Sequence, residues 1–342
     1  MSHIEQLAKT GEQKQQSARS FDSYGLLACL VTSMFLIAWI KLASKSLNVG
    51  SVAFLFALPW GLLRAGAIVT AALRFYSFFA LDFLLGVIVV SIAVMTWKFF
   101  VPLSLWVLLI VLLVAITTIP KVLPRHRRYP LSALGLLSII VSLIAATGWS
   151  QDLIFPTIPQ DGTVVFKPWS DFFIHATFVA RSLGAKTLFQ IGNYEWKGFP
   201  AIFYHYASYS IPILLAKAGS VPSYTTVVGF WAPFGSFLTG LASYALGRAF
   251  WSQGAGLAAL VATFLIPDLC LLNIAHPTYG YFWLQHAAPG GLYGVAVAGT
   301  ALILIGQGVR EGRRIWIASG VVVGAFVVFF KIQIFAAAFP LL

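Results

Sequence analysis

The stretch SFFALDFLLGVIVVSIAVMTW (residues 77–97), followed after one lysine by FFVPLSLWVLLIVLLVAITTI (99–119), decides the fold class. Each run is long enough to cross the hydrocarbon of a bilayer as a helix, which takes about 20 residues. The only charged residue within them is Asp82, and the apolar positions follow one another without the period-two alternation of a barrel strand. In lipid every backbone N–H and C=O must be satisfied inside the protein, so a continuous apolar run of this length reads as helix.

The same signature recurs at 24–44, 51–73 and 131–148, and again at 224–247, 253–273, 290–307 and 315–338. The sequence therefore predicts an all-α, polytopic transmembrane helix bundle of about nine spans. Composition agrees: 59% of the residues are apolar and 9% are charged, against about 25% charged in soluble domains. The net charge of +12 sits in short clusters between apolar runs, as topology signals do. No basic amphipathic run points to nucleic acid, and membrane lipids are the expected surroundings. Cys29 and Cys270 both fall in apolar runs and read as small core residues.

Lysine and arginine set the sidedness. The clusters Lys121, Arg125, Arg127, Arg128 and Arg310, Arg313, Arg314 are assigned to the cytoplasm, with Arg248 on the same side. The segment 149–223 and the loop 274–289 then lie outside. Lys41, Lys45 and Lys98 also fall outside, against the rule. The chain divides into a cytoplasmic tail (1–23), a four-span module (24–130) and a five-span module (131–342) whose long outer loop is 149–223. The run AIFYHYASYSIPILLA (201–216) is short and tyrosine-rich, and it reads as an interfacial segment rather than a span. The chain stops at AAAFPLL, at the close of the last apolar run, which reads as either a fragment or a shortened gene.

Polar chemistry concentrates outside. PWSDFFIHATFVARSLG (168–184) predicts a juxtamembrane helix capped by Ser170, with Asp171 in the first turn and His175 one turn on, sharing a face. A carboxylate beside an imidazole can orient it as a base, act as a base itself, or share a metal with it. The plain alternative is an aspartate that only stabilises the helix start. NYEWKGFPAIFYHY (193–206) interleaves Glu195, Lys197, Tyr204 and His205 with aromatics, which suits a sugar or a headgroup and equally an aromatic belt. LIPDLCLLNIAHPTYGYFWLQHAAPGG (265–291) places Asp268 at the end of a span, with His276 and His286 framing an aromatic run. Lys331 interrupts the last apolar run and must either snorkel or find an anionic partner, such as a lipid phosphate or Asp268. Arg64 and Asp82 are expected to pair with each other.

Four pieces together resemble the GT-C glycosyltransferases: the span 131–148, WSDFFIHATFVARSLG, FPAIFYHYASYSIP and GVVVGAFVVFFKIQIFAAAFP. The resemblance covers roughly 131–342. It implies a membrane enzyme that takes a sugar from a polyprenyl-phosphate carrier on the extracytoplasmic face. Asp171 would deprotonate the acceptor or help hold a divalent metal, Mg or Mn, and Arg181, Lys197 or Lys331 would stabilise the departing phosphate. It further implies a bacterial plasma membrane, a cytoplasmic N-terminus and room for other membrane subunits. Two other readings stay open. One is a transporter or lipid flippase lined by Arg64, Asp82, Asp268 and Lys331. The other is a non-catalytic membrane assembly protein.

Overall fold

A computed structural model of the protein describes residues 23–44, 47–101, 103–122, 130–160, 163–168, 170–187, 206–265 and 289–341. In chain order the elements are α1 (Ser23–Ser44), α2 (Val49–Ala72), α3 (Phe79–Phe100), α4 (Leu105–Val122), α5 (Ala133–Trp149), the single turn α6 (Gln151–Ile154), an antiparallel hairpin β1 (Thr157–Gln160) and β2 (Thr163–Phe166), and α7 (Asp171–Gly184). A 3₁₀ turn (Tyr206–Tyr209) leads into α8 (Ser210–Ala218). Then come α9 (Ser223–Thr226), a π turn (Val227–Trp231), α10 (Ala232–Phe250), α11 (Gln253–Leu265), α12 (Gly290–Arg310), α13 (Arg314–Phe330) and α14 (Ile332–Ala338).

Among the described residues four helices, α1, α2, α3 and α12, are long and apolar enough to cross a membrane, and they mark the chain as a membrane protein. Shorter apolar helices stand beside them at Leu105–Ile119, Ala133–Trp149, Gln253–Leu265 and Arg314–Phe330. Helix α10 is the axis of the bundle. Nearly all its side chains are buried, and it packs on α3, α5, α11 and α12. Small residues allow the close approaches, as between helices in lipid. A Cβ on Gly66 would overlap the Asp82 carbonyl, and one on Gly86 would overlap that of Leu62, so the α2 and α3 backbones touch.

Side chains tie the helix ends together in two sets. At one end the Trp316 indole donates to Leu73 C=O at 2.8 Å and Ser132 Oγ meets Gln253 Oε1 at 2.5 Å. There Gln307 Nε2 donates to Ala249 C=O at 2.6 Å, and the Arg248 guanidinium lies 4.5 Å from the centre of the Phe78 ring. The turn from α12 to α13 closes this end with Gly312 at φ +64°, a conformation glycine adopts without strain. At the opposite end Lys98 donates to the carbonyls of Ser182 (2.7 Å) and Ala185 (2.6 Å), holding the last turn of α7.

Three sequence expectations change. Arg64 is exposed and does not serve Asp82. The buried Asp82 carboxylate instead accepts from Thr70 Oγ1 (2.9 Å) and Ser77 Oγ (2.6 Å), because two nearby hydroxyls on the same hairpin satisfy it without moving a long side chain. The apolar run 315–338 is not one helix: it breaks at Lys331, whose backbone is extended (φ −166°, ψ 112°). Of the segment 201–216, the described part is buried rather than interfacial. Tyr206, Ser208 and Tyr209 are each at most 5% exposed, and Ser210 Oγ reaches Ser91 C=O at 3.3 Å. Ser91 lies nine residues, roughly 13 Å, inside the end of α3. From there α8 climbs back until Gly219 packs on Ser51 at the start of α2. Irregular backbone at such depth in the bundle is tolerated because protein surrounds it.

Candidate functional site

The pocket end is made of interruptions. Pro233 has no N–H for the α-helical bond to Gly229, and its ring crowds that carbonyl. The helix responds with a wider turn at Val227–Trp231, where Ala232 N–H reaches back to Val227 C=O. That turn aims Trp231 at α7 and the Tyr206–Tyr209 turn: its ring centre is 4.6 Å from His175 and 4.8 Å from Tyr209. Tyr293, on the first turn of α12, donates its hydroxyl to Trp231 C=O at 2.9 Å and fixes the turn. Trp231 sits eight residues below the start of α9, so the cluster is recessed by roughly 12 Å.

Helix α7 lies over this recess. Phe172, Ala176 and Val179 are buried beneath it, and Phe173 stacks on Tyr224 at 4.9 Å. Phe178 stacks on Tyr209 at 5.6 Å. The same face carries His175, whose Nδ1 is 2.5 Å from the Tyr209 hydroxyl. A phenol, with an ordinary pKa near 10, is a far stronger acid than the N–H of neutral imidazole. With neutral His175 protonated on Nε2, Tyr209 is the donor of this bond. His175 is held at Nδ1 by Tyr209, so of the three relations the sequence offers between Asp171 and His175, orientation of the imidazole through that nitrogen is already taken by the phenol. The expected cap also differs. Ser170 already has helical angles and makes no side-chain cap bond, because the helix geometry begins one residue earlier than the sequence implies.

Asp171 is half-buried at the start of α7, and its charge acts on Lys331. Lys331 is 5% exposed at the break between α13 and α14. Its Cβ would lie 3.2 Å from a Cβ at Gly294, which places its stem along the first turns of α12. Asp171 and Lys331, 160 residues apart in the sequence, therefore influence each other electrostatically, and the helix that carries Asp171 also sets His175 against the rings of Tyr209 and Trp231. Arg181 is exposed in the last turn of α7, ten residues and roughly 15 Å from Asp171. Glu195, Lys197, Tyr204, His205, Asp268, His276 and His286 lie outside the described residues.

Among the described residues no group of three histidine, cysteine or acidic side chains could hold a metal. Asp171 has a lysine for company, and one imidazole nitrogen of His175 is taken by Tyr209. Mg or Mn prefers several oxygen ligands and a site free of competing cations. The described donor set does not fit such an ion, and no step below uses one. Comparison with protein-family models, curated proteins and solved structures finds no match to this chain.

Tyr209 and Trp231 were not singled out by the sequence as site residues. The signal available for Trp231 was Pro233, a helix breaker two residues on inside an otherwise helical run. Tyr209 had none, since its role depends on the burial of the re-entrant turn.

Proposed function

We propose that the protein is a membrane glycosyltransferase that moves a sugar from a lipid-phosphate carrier to an acceptor at the extracytoplasmic face. On this reading the chain crosses a bacterial plasma membrane nine times from a cytoplasmic N-terminus, with the arginine-rich end inside. The observation that supports it is a carboxylate whose charge acts on a buried lysine, on a helix whose histidine is set among aromatic rings and bonded to Tyr209. Aromatic walls suit the faces of a sugar, and a cation in a dry site suits a leaving phosphate.

The chemistry follows from these roles. Asp171 takes the proton of an acceptor hydroxyl, and that oxygen attacks the anomeric carbon. The bond from that carbon to the phosphate oxygen breaks, and its electron pair leaves with the phosphate. Lys331 and the Nε2–H of His175 face the charge that develops. Asp82, satisfied by two hydroxyls, reads as structural, which removes one of the residues a transport path would use.

The test is transfer from a radiolabelled polyprenyl-phosphate sugar in membrane fractions. Asp171→Asn should lower the rate by about a hundredfold or more, as loss of a general base does, with unchanged protein level and melting temperature. Equal rates for wild type and variant would sink the assignment.

A further inference from the structure

The arginine end carries more positive charge than its own acids answer. Arg74, Arg310, Arg313 and Arg314 are exposed there, and Arg248 is half-buried. Among the described residues none of the four exposed guanidinium groups has an ion-pair or hydrogen-bond partner. Glu311 is the exposed acid beside them, and the buried Asp82 is held by Thr70 and Ser77. Two stretches that join this end lie outside the described residues, and neither supplies a net counter-charge by sequence. Residues 1–22 have three acidic and three basic side chains, and 123–129 have Arg125, Arg127 and Arg128 with no acid. Helix dipoles do not supply it either. Helices α2, α10 and α12 finish here while α3, α11 and α13 start here, so dipole ends of both signs offset each other.

The arginines are held together by one aromatic knot. Trp316 of α13 donates its indole N–H to Leu73 C=O at 2.8 Å, which fastens the α2–α3 turn to the α12–α13 turn. Its ring packs on Phe75 at 4.4 Å and on Tyr76 at 5.7 Å, and the Arg313 guanidinium lies 6.0 Å from its centre. Arg74 directly follows the carbonyl that the indole holds, so both turns present arginine beside the same ring. It does so at φ +51°, a left-handed conformation that favours glycine. The flanks are apolar. Val309 and Ile315, on either side of the arginine-rich turn, are exposed, and so is Trp251, three residues after Arg248. Basic groups at the centre with exposed apolar side chains beside them suit an amphiphile whose headgroup meets the arginines while its acyl chains run along the helices. A soluble polyanion such as RNA would leave the apolar flanks in water.

We propose that this end of the bundle, at Arg74, Arg310, Arg313 and Arg314, binds the headgroup of an anionic phospholipid. Guanidinium forks match phosphate oxygens two at a time, and basic clusters between helix ends at a membrane surface are where such headgroups seat. A lipid with two phosphates, such as cardiolipin, can engage both turns at once. The transferase reading plays no part in this inference.

The test is native mass spectrometry of the full chain in detergent micelles, titrated with cardiolipin, phosphatidylglycerol and phosphatidylcholine. The two anionic lipids should bind at least about tenfold more tightly than phosphatidylcholine, since each arginine near an anionic headgroup contributes about fivefold in affinity. The combined variant Arg74→Gly, Arg313→Gln, Arg314→Gln should lose about a hundredfold, and glycine keeps the left-handed turn at position 74. Lys167→Gln, at the opposite end, should change nothing. Cardiolipin ahead of phosphatidylglycerol would mean that both turns grip one lipid, and equal affinity that one phosphate suffices; both support the headgroup site. A photoactivatable phosphatidylglycerol, with a diazirine in its headgroup and crosslinked to the wild-type chain, decides the matter even if the combined variant folds poorly: labels should fall within 72–76 and 309–316. Phosphatidylcholine binding as tightly as the anionic lipids, unchanged affinity in a folded combined variant, or labels confined to other segments overturns the proposal. Tighter binding of single-stranded RNA than of cardiolipin in the same titration overturns it as well.

Discussion

The two ends of the bundle are built differently. The arginine end, with Arg248, Arg310, Arg313 and Arg314, is closed by tight turns through Arg74 and Gly312 at positive φ and by side chains that cap carbonyls across neighbouring helices. The opposite end collects most of the interrupted helices: a 3₁₀ turn, the short helix α8, a π turn, an extended lysine and a helix start with glycines. Regular helices satisfy their own backbone and present side chains to lipid or to one another. Interrupted ones turn polar and aromatic groups inward. The difference separates what holds the protein together from what gives it chemistry.

The comparison can be broken by variants that should act on one side of that division only. The largest effect is expected from Gly86→Val. The branched side chain has no space against the Leu62 backbone, so α2 and α3 must separate, at a cost of about 3 kcal/mol or more. Protein yield and melting temperature in detergent should collapse together. A variant that folds normally would show that the contact between these two helices is not structural.

Pro233→Ala should do the opposite. Removing a proline from a helix relieves about 3 kcal/mol of conflict, so the melting temperature should hold or rise. The π turn would then relax toward α, rotating Trp231 by roughly 100° relative to α10. Transfer should fall by about tenfold while thermal stability does not, which is the signature of strain retained for geometry. Lys98→Met should act more mildly: backbone amides around 185–187 should exchange faster in hydrogen–deuterium measurements, and transfer should fall a few-fold because α7 carries Asp171 and His175. The smallest effect belongs to Lys167→Ala. Its 3.2 Å contact with Asp152 is solvent-exposed and is worth about 0–1 kcal/mol, so the melting temperature should barely move.

Much of the helical framework could be read from the sequence because lipid enforces it. Runs such as 24–44, 77–97 and 131–148 lie within a few residues of α1, α3 and α5, since a continuous apolar stretch has few other ways to satisfy its backbone. Local side-chain geometry was legible as well: Asp171 and His175 do stand one turn apart on the same helix. What escaped depends on contacts between distant segments. Tyr206, Ser208 and Tyr209 look amphipathic in isolation, and only the packing of α3, α8, α12 and α13 around them, with Phe178 of α7, makes them core. Asp82 looked in need of a cation because carboxylates in spans often have one, but two hydroxyls a short way along the chain answer it at lower entropic cost. Lys331 was recognisable as out of place, whereas its neighbour Asp171, 160 residues earlier, was not.

The seating of α7 has a practical corollary. Lys98 grips it through two peptide carbonyls at 2.7 and 2.6 Å while itself only 4% exposed. Dissolved ions screen charges on an open surface within about 8–10 Å but reach buried contacts poorly. Molar salt washes that strip loosely held polypeptides from membranes should therefore leave this roof in position, and the recess below it should keep its shape over a wide range of ionic strength.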